Sequence, residues 1–152
     1  MRVSAKADYA VRAAVELAGA PEGPVKGTVI SKAQKIPLRF LENILGELRH
    51  AGIVQSQRGS EGGYWLARTA DDITIAEIVR AVEGPLASVR GERPEDLDYL
   101  GGAEPLRQVW VALRANIRQI LESVTLADVV AGELPAQVAQ VVEGHPEVWE
   151  SH

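Results

Sequence analysis

The chain contains no cysteine among its 152 residues. This absence excludes disulfides, thiolate zinc sites, cysteine nucleophiles and iron–sulfur clusters held by cysteine. Histidine is also rare, because only His50, His145 and His152 occur and they are far apart in sequence. We therefore expect neither a metal site nor a bound cofactor.

Long apolar runs are missing too. No stretch approaches the roughly 18 apolar residues that a membrane span needs, and the N-terminal segment MRVSAKADYA lacks the apolar core of a signal peptide. We therefore expect a soluble, cytoplasmic chain with no membrane partner. No nucleophile–base pair, phosphate-binding loop or metal-ligand cluster can be recognised, so we do not expect an enzyme.

The net charge of −5 hides an uneven distribution of charge along the chain. Residues 1–68 hold ten Lys and Arg against six Asp and Glu, a net charge of +4, whereas residues 69–152 hold six against fifteen, a net charge of −9. A basic N-terminal half beside an acidic C-terminal half is typical of a polyanion-binding head on a soluble body. Chance asymmetry is the alternative, because charge says nothing about the fold.

Two helices are predicted near the N-terminus. Ser4 can cap a first helix that runs to about Ala20, and a loop rich in Gly and Pro follows at Gly19–Gly27. A short helix is then predicted near Val29–Gln34, with Thr28 as its cap.

A third helix follows closely, since Pro37 suits its first turn and Gly52 suits its end. The predicted buried stripe of this helix has helical spacing and consists of Leu38, Leu41, Ile44, Leu45 and Leu48. Two helices joined by about three residues, the first of them short, predict a helix-turn-helix.

A β-hairpin is predicted directly after this pair of helices. The β-prone runs IVQSQ and YWLAR flank the Gly-rich segment RGSEGG, which is the pattern of two strands and a turn. A hairpin in this place predicts a wing. Thr74 and Glu77 then have the spacing of a capping box for a further helix over Asp72–Val82.

The rest of the chain contains a long connection, Gly84–Ala103, rich in Gly, Pro and charge, and such loops are usually functional or disordered. Glu104–Leu121 predicts a strongly amphipathic helix. Thr125 and Asp128 form another capping box, for the short helix TLADVVAG. Residues 133–152 form an acidic tail in which a short helix can form.

The amphipathic helix has two interpretations, because its apolar stripe can pack within one chain or against a second copy. We favour a homodimer, in which two-fold symmetry would place two heads on DNA half-sites about 34 Å apart. The stripe consists of Leu106, Val109, Trp110, Leu113, Ile117, Ile120 and Leu121.

The second helix of a helix-turn-helix enters the major groove with its N-terminal residues at the base edges. Arg39 can bond guanine through two donors, Asn43 can pair with adenine, and Glu42 can accept from the cytosine amino group. Arg58, on a Gly-flanked wing, can enter a narrow minor groove. The predicted DNA-contacting set is Lys6, Lys32, Pro37, Arg39, Phe40, Glu42, Asn43, Arg58, Gly59 and Ser60. An ordinary solvated helix face and a turn arginine without a ligand are the alternatives.

The order of these parts resembles the Rrf-type winged helix-turn-helix regulators, the group that includes IscR, NsrR and CymR. The matching segments are MRVSAKADYAVRA, IPLRFLENILGELRHAGIVQSQRGSEGGYWLAR, ITIAEIVRAVEG and TLADVVAG, which span most of residues 1–132. The resemblance implies a homodimer on a palindromic operator. It also implies base contacts by Arg39, Glu42 and Asn43 and a minor-groove contact by Arg58.

The chain departs from part of this group in the loop Gly84–Ala103. Many members hold an iron–sulfur cluster on three cysteines of the equivalent loop, and Asp8 matches the position of a carboxylate ligand in some of them. Asp8 alone cannot hold a cluster in a chain without cysteine. The chain resembles more nearly the cysteine-free members, which respond to a partner protein or a small molecule.

The predicted fold is mainly α with a small β-hairpin wing, a winged helix-turn-helix plus a long C-terminal dimerisation helix. The DNA-binding domain is expected over residues 1–83, a sensor-type loop over 84–103, the dimerisation helix and a short helix over 104–132, and the acidic tail over 133–152. We expect a sequence-specific regulator, a repressor, that binds double-stranded DNA as a homodimer and responds to an effector metabolite or a partner protein. The alternative is a winged-helix adaptor that no longer binds DNA, against which the retained Arg39, Asn43 and Arg58 argue.

Overall fold

Residues 2–151 are described by a computed structural model, and Met1 and His152 lie outside this range. Over the described residues the chain is mainly helical with one β-hairpin, which confirms the predicted fold class. The helices are α1 (Ala5–Gly19), α2 (Gly27–Gln34), α3 (Leu38–His50), α4 (Ile75–Glu83), α5 (Leu106–Leu121), α6 (Leu126–Ala131) and α7 (Ala136–Gly144). The strands are β1 (Val54–Gln57) and β2 (Gly63–Leu66). No helix within residues 2–151 has the length and apolar character needed to cross a membrane.

Helix α1 lies at the centre of the N-terminal head, which comprises α1–α4, β1 and β2. The Ser4 hydroxyl accepts a hydrogen bond from the Ala7 amide at 3.0 Å, so the predicted cap is confirmed. The buried face of α1 contacts α3, α4 and α6, and its residues are Ala7, Ala10, Ala13, Ala14 and Leu17. Because most of these side chains are short, the neighbouring helices can pack closely against α1.

The helix-turn-helix consists of α2 and α3, joined by Lys35, Ile36 and Pro37. Lys35 ends α2 with a left-handed backbone, at φ 53°, and Ile36 is buried in the core. The predicted buried residues of α3 are confirmed at Leu41, Ile44, Leu45 and Leu48.

Two details of this region differ from the sequence prediction. Leu38 is 37% exposed, because at the first turn of α3 it lies against Gly27, which has no side chain to cover it. Thr28 is not the cap of α2, which begins at Gly27 with Lys26 in the cap position. Val25 is paired in a β-bridge with Tyr64, and Lys26 still has an extended backbone. The helix then begins directly after this extended segment, earlier than predicted.

The wing is the antiparallel hairpin β1–β2, in which Val54 pairs with Leu66 and Gln57 pairs with Gly63. The chain before α2 adds to it through two hydrogen bonds of 2.8 Å between Val25 and Tyr64. A Cβ atom on Gly62 would lie 2.0 Å from the Gln57 carbonyl oxygen, and one on Gly63 would lie 2.6 Å from that of Val25. The Gly pair at the end of RGSEGG therefore permits both close contacts of the wing.

The two predicted capping boxes are confirmed, at Thr74 before α4 and at Thr125 before α6. Helix α4 begins later than predicted, because Ala70–Asp72 forms a separate 3-10 turn. The segments before the two helices pair through a hydrogen bond of 3.0 Å from the Leu126 amide to the Ile73 carbonyl. Leu126 is fully buried in the same core as α1 and α3, so α6 returns the chain to the head after α5.

Candidate DNA-binding surface

Polar side chains cover the face of α3 that points away from the core. Arg39, Glu42 and Asn43 are all exposed there, on the side of the helix opposite to its buried leucines. Within residues 2–151, none of these three side chains takes part in an ion pair. Their hydrogen-bonding groups therefore remain available to a ligand, and we call these three residues the reading face.

Pro37 and Phe40 border the reading face at the start of α3. Pro37 occupies the cap position, one residue outside the helix. The Phe40 ring meets the Tyr9 ring of α1 edge-to-face, with 5.6 Å between ring centroids and 79° between planes. Phe40 thus fastens the first turn of α3 to α1 while its side chain stays partly exposed.

The wing tip lies on the chain between β1 and β2, where Arg58, Gly59 and Ser60 are all exposed. Lys26 donates a hydrogen bond of 3.0 Å from its Nζ atom to the Gly59 carbonyl oxygen. This contact ties the wing tip to the start of α2. The sequence alone did not indicate Lys26, because the two residues are far apart along the chain and only the folded wing brings them together.

The two lysines of the predicted DNA-contacting set have different surroundings. Lys32 is exposed on α2. Lys6 is half-buried, and its Nζ atom forms an ion pair of 2.8 Å with Oε1 of Glu47 on α3. Any phosphate at Lys6 would compete with this carboxylate. Glu47 could not be recognised from the sequence, because the pair joins two helices that are distant along the chain.

Arg12 links α1 to the helix-turn-helix. Its guanidinium group donates to the Asp8 carboxylate at 3.0 Å and to the Gln34 carbonyl oxygen at the end of α2 at 2.8 Å. The same group lies 4.8 Å from the centre of the Tyr9 ring. Asp8 is therefore part of the support of α2 and α3.

Helix α5 has an apolar stripe that its own chain covers only in part. None of the residues of α5 is buried, and Val109 and Leu106 are 52% and 41% exposed. Trp110 is half-buried and donates to the Tyr99 hydroxyl at 2.9 Å. The other stripe residues are half-buried. Three of them, Ile117, Ile120 and Leu121, line a cleft of about 730 Å³ beside α1 and α4.

The loop between α4 and α5 has an ordered conformation with its own buried residues, Leu86, Pro94 and Leu97. Arg114 of α5 holds it by donating to the Leu86 carbonyl oxygen at 3.2 Å and to the Glu95 carboxylate. The hydrogen bond from Arg114 is the main cause that lowers the pKa of Glu95 below its ordinary value. The loop is thus fastened to α5 by Arg114 and also by Arg107, which donates to the Glu95 carbonyl oxygen at 2.5 Å.

Replacing Arg114 by glutamine is expected to loosen this loop. Because two hydrogen bonds to the loop are lost, amide exchange of residues 86–97 should become about fivefold faster. Since the pKa of Glu95 is lowered in the folded chain, the contribution of its carboxylate is present at neutral pH and is lost as the pH falls through that lowered pKa. Amide exchange can be measured by mass spectrometry at several pH values and corrected for the intrinsic exchange rates. It would report both the faster exchange in the variant and the loss of the Glu95 contribution at low pH.

Arg118→Gln is the matched control for this change, because Arg118 bonds Glu122 at the C-terminal end of α5 and not the loop. The control should leave exchange of residues 86–97 unchanged. Equal exchange in Arg114→Gln and the unaltered protein would contradict the assignment of Arg114 as the fastener of the loop.

A helix-turn-helix followed by a wing, with an exposed polar face on its second helix, defines the winged-helix class of DNA-binding proteins. The family model for Rrf2, described as an iron-dependent transcriptional regulator, matches residues 3–132, and the chain belongs to this family. It is similar to an HTH-type transcriptional regulator of Mycobacterium tuberculosis, with 51% identity over 95% of this chain and 91% of that protein. It is also similar to the HTH-type transcriptional regulator CymR of Bacillus subtilis, with 34% identity over 86% of this chain and 91% of that protein.

Solved structures of the family have the same fold. CymR of B. subtilis, described as a global cysteine regulator, superimposes with a TM-score of 0.72 at 33% identity, covering 86% of this chain and 97% of its own. IscR of T. potens gives a TM-score of 0.70 at 34% identity, covering 87% and 88%. The chain is therefore a DNA-binding transcriptional regulator of the Rrf2 family, a cysteine-free member of the IscR and CymR group.

The residues of this chain do not fit the iron–sulfur cluster found in part of the family. Such clusters are held mainly by cysteine thiolates, and the chain has no cysteine. Asp8 is paired with Arg12 and Glu95 with Arg114. Among residues 2–151, no group of three or more histidine or acidic side chains is arranged to hold a metal ion.

Proposed function

We propose that this chain is a repressor that binds a palindromic operator as a homodimer, without an iron–sulfur cluster. In this proposal residues 1–83 bind the operator, residues 104–132 contribute the dimer contact, and residues 84–103 connect a signal to the head. The acidic tail, residues 133–152, is assigned no DNA contact. The signal is a small molecule or a partner protein.

The observation that carries the proposal is the joint exposure of the reading face and the wing tip. Arg39, Glu42 and Asn43 offer the donors and acceptors that distinguish base pairs in the major groove. Arg58 extends from the wing, where a narrow minor groove would attract it. Lys26 and Arg12 fasten the wing and α2, so that the two contact surfaces are held in one arrangement.

The dimer contact is supported by the incompletely covered stripe on α5. An amphipathic helix without a buried residue has not satisfied its apolar face within its own chain. A second copy would supply the same stripe by two-fold symmetry, since a two-fold interface uses the same patch on both subunits. The heads would then lie on two equivalent half-sites.

Selection from a pool of random-sequence DNA duplexes tests this function directly. The purified chain is expected to enrich an inverted repeat whose half-sites lie about one helical turn apart, or a multiple of that distance. Binding to the enriched duplex should weaken steeply as the salt concentration rises, because phosphate contacts release counterions. A scrambled duplex of equal length serves as the control.

The absence of salt-sensitive DNA binding at low ionic strength would refute the proposed function. It would favour the adaptor that no longer binds DNA. Enrichment of a single unrepeated site would leave sequence-specific DNA binding intact and contradict the homodimer.

A further inference from the structure

Gly46 lies in the interior of α3, and no feature of residues 2–151 requires a glycine there. It falls on the outward face between Asn43 and His50, both of which are exposed. Its backbone is helical and its φ is not positive, so no left-handed conformation demands glycine. A Cβ atom at this position would meet nothing within 4 Å, so no packing contact demands it either.

Glycine is unfavourable in the interior of a helix, because it loses more backbone freedom on folding than alanine does. Alanine at position 46 would fit the described chain with an open space around its methyl group. Nothing within residues 2–151 offsets the cost of glycine at this position. A glycine permits close approach of the backbone to a ligand, which is the remaining physical use of this residue.

The neighbouring side chain is held away from the same face. Glu47 extends toward α1, where its Oε1 atom forms an ion pair of 2.8 Å with the Nζ atom of Lys6. Its Oε2 atom is buried and has no hydrogen-bond partner within residues 2–151. Residue 46 thus has no side chain and the side chain of residue 47 is paired with α1, so that the half-buried backbone of α3 has open space at the Cβ position of Gly46.

We propose that Gly46 is the position at which the backbone of α3 closes against the operator duplex. This inference rests on the proposed function and adds a positioning residue to it. Duplex DNA is the occupant because Gly46 continues the face that carries Arg39 and Asn43. Close contact at Gly46 lets α3 lie deep in the major groove, which brings these two side chains within reach of base edges.

Gly46→Ala tests the inference because it should change stability and operator binding in opposite directions. The variant is expected to have a higher urea midpoint than the unaltered protein, since alanine favours the helix. Its affinity for the duplex selected by the unaltered protein should fall about tenfold, because the methyl group holds α3 away from the groove. Gly46→Leu should lose still more. Affinity for a scrambled duplex should change less than about twofold, because non-specific binding relies on phosphate contacts and not on a seated helix.

Gly144→Ala is the matched control, since Gly144 is a helical glycine at the end of α7 with open space around its Cβ position. It should leave operator affinity unchanged. Operator affinity of Gly46→Ala equal to that of the unaltered protein would overturn the inference, as would an equal loss on the scrambled duplex or in the control. Each of these three results would leave the proposed function intact. Failure of the unaltered protein to select any operator would refute both the proposed function and the inference on Gly46.

Discussion

Val109→Asp is expected to convert the protein to a monomer and to lower its affinity for a two-half-site operator by about 100-fold or more. The reason is that Val109 is 52% exposed in the N-terminal part of the stripe on α5, where a second copy would bury it. A buried unpaired carboxylate is costly, so the dimer dissociates. Each head then binds its half-site alone, and the gain from linking two binding modules is lost.

Two measurements test this prediction. Sedimentation or light scattering reports the oligomeric state, and titration of a duplex with one half-site reports the head alone. Val109→Asp should bind the single half-site as the dissociated unaltered head does, because the substituted residue lies far along the chain from α3 and contributes nothing to the described core.

Ala115→Asp is the matched control, since Ala115 is exposed on the face of α5 opposite to the stripe. It introduces the same charge into the same helix and should leave the dimer intact. A dimeric Val109→Asp variant that retains full operator affinity would contradict the proposed interface.

Arg39→Ala is expected to lower operator affinity by about 30-fold or more and to relax the base preference at one position of each half-site. A bidentate contact to guanine contributes about 1–3 kcal/mol of discrimination, and two half-sites double the effect in a dimer. Since Arg39 is exposed and makes no ion pair within residues 2–151, its removal should not change the fold. Repeating the selection from random duplexes would reveal the relaxed position.

Lys32→Ala provides the comparison for a contact to phosphate. It should weaken binding to all duplexes alike and reduce the slope of affinity against salt by about 1 for each half-site. If Arg39→Ala behaved in the same way, with an unchanged base preference, Arg39 would be a phosphate contact and not a base contact.

Local features of the head were predictable from the sequence because they depend on neighbours along the chain. The cap at Ser4 and the capping boxes at Thr74 and Thr125 each join residues within one helical turn. The buried stripe of α3 follows from helical spacing, apart from Leu38. Leu38 has the right spacing, but its burial depends on what lies opposite, and glycine lies there.

The support of the candidate site was not predictable in this way. The bonds from Lys26 to the wing, from Lys6 to Glu47 and from Arg114 to the loop join residues that are distant along the chain. Residue types at these positions are also found on ordinary solvated surfaces. Only the packing of one helix against another brings the partners within hydrogen-bonding distance.

The sequence by itself determined that this protein carries a winged helix-turn-helix and that it lacks the thiolates of a cluster, because periodicity, caps and composition are local properties. Tertiary structure alone decided which surfaces remain uncovered. It left the reading face exposed, covered the stripe on α5 only in part, and placed the Glu47 carboxylate next to Lys6. Exposure depends on every element that packs nearby, and therefore on contacts that no local pattern contains.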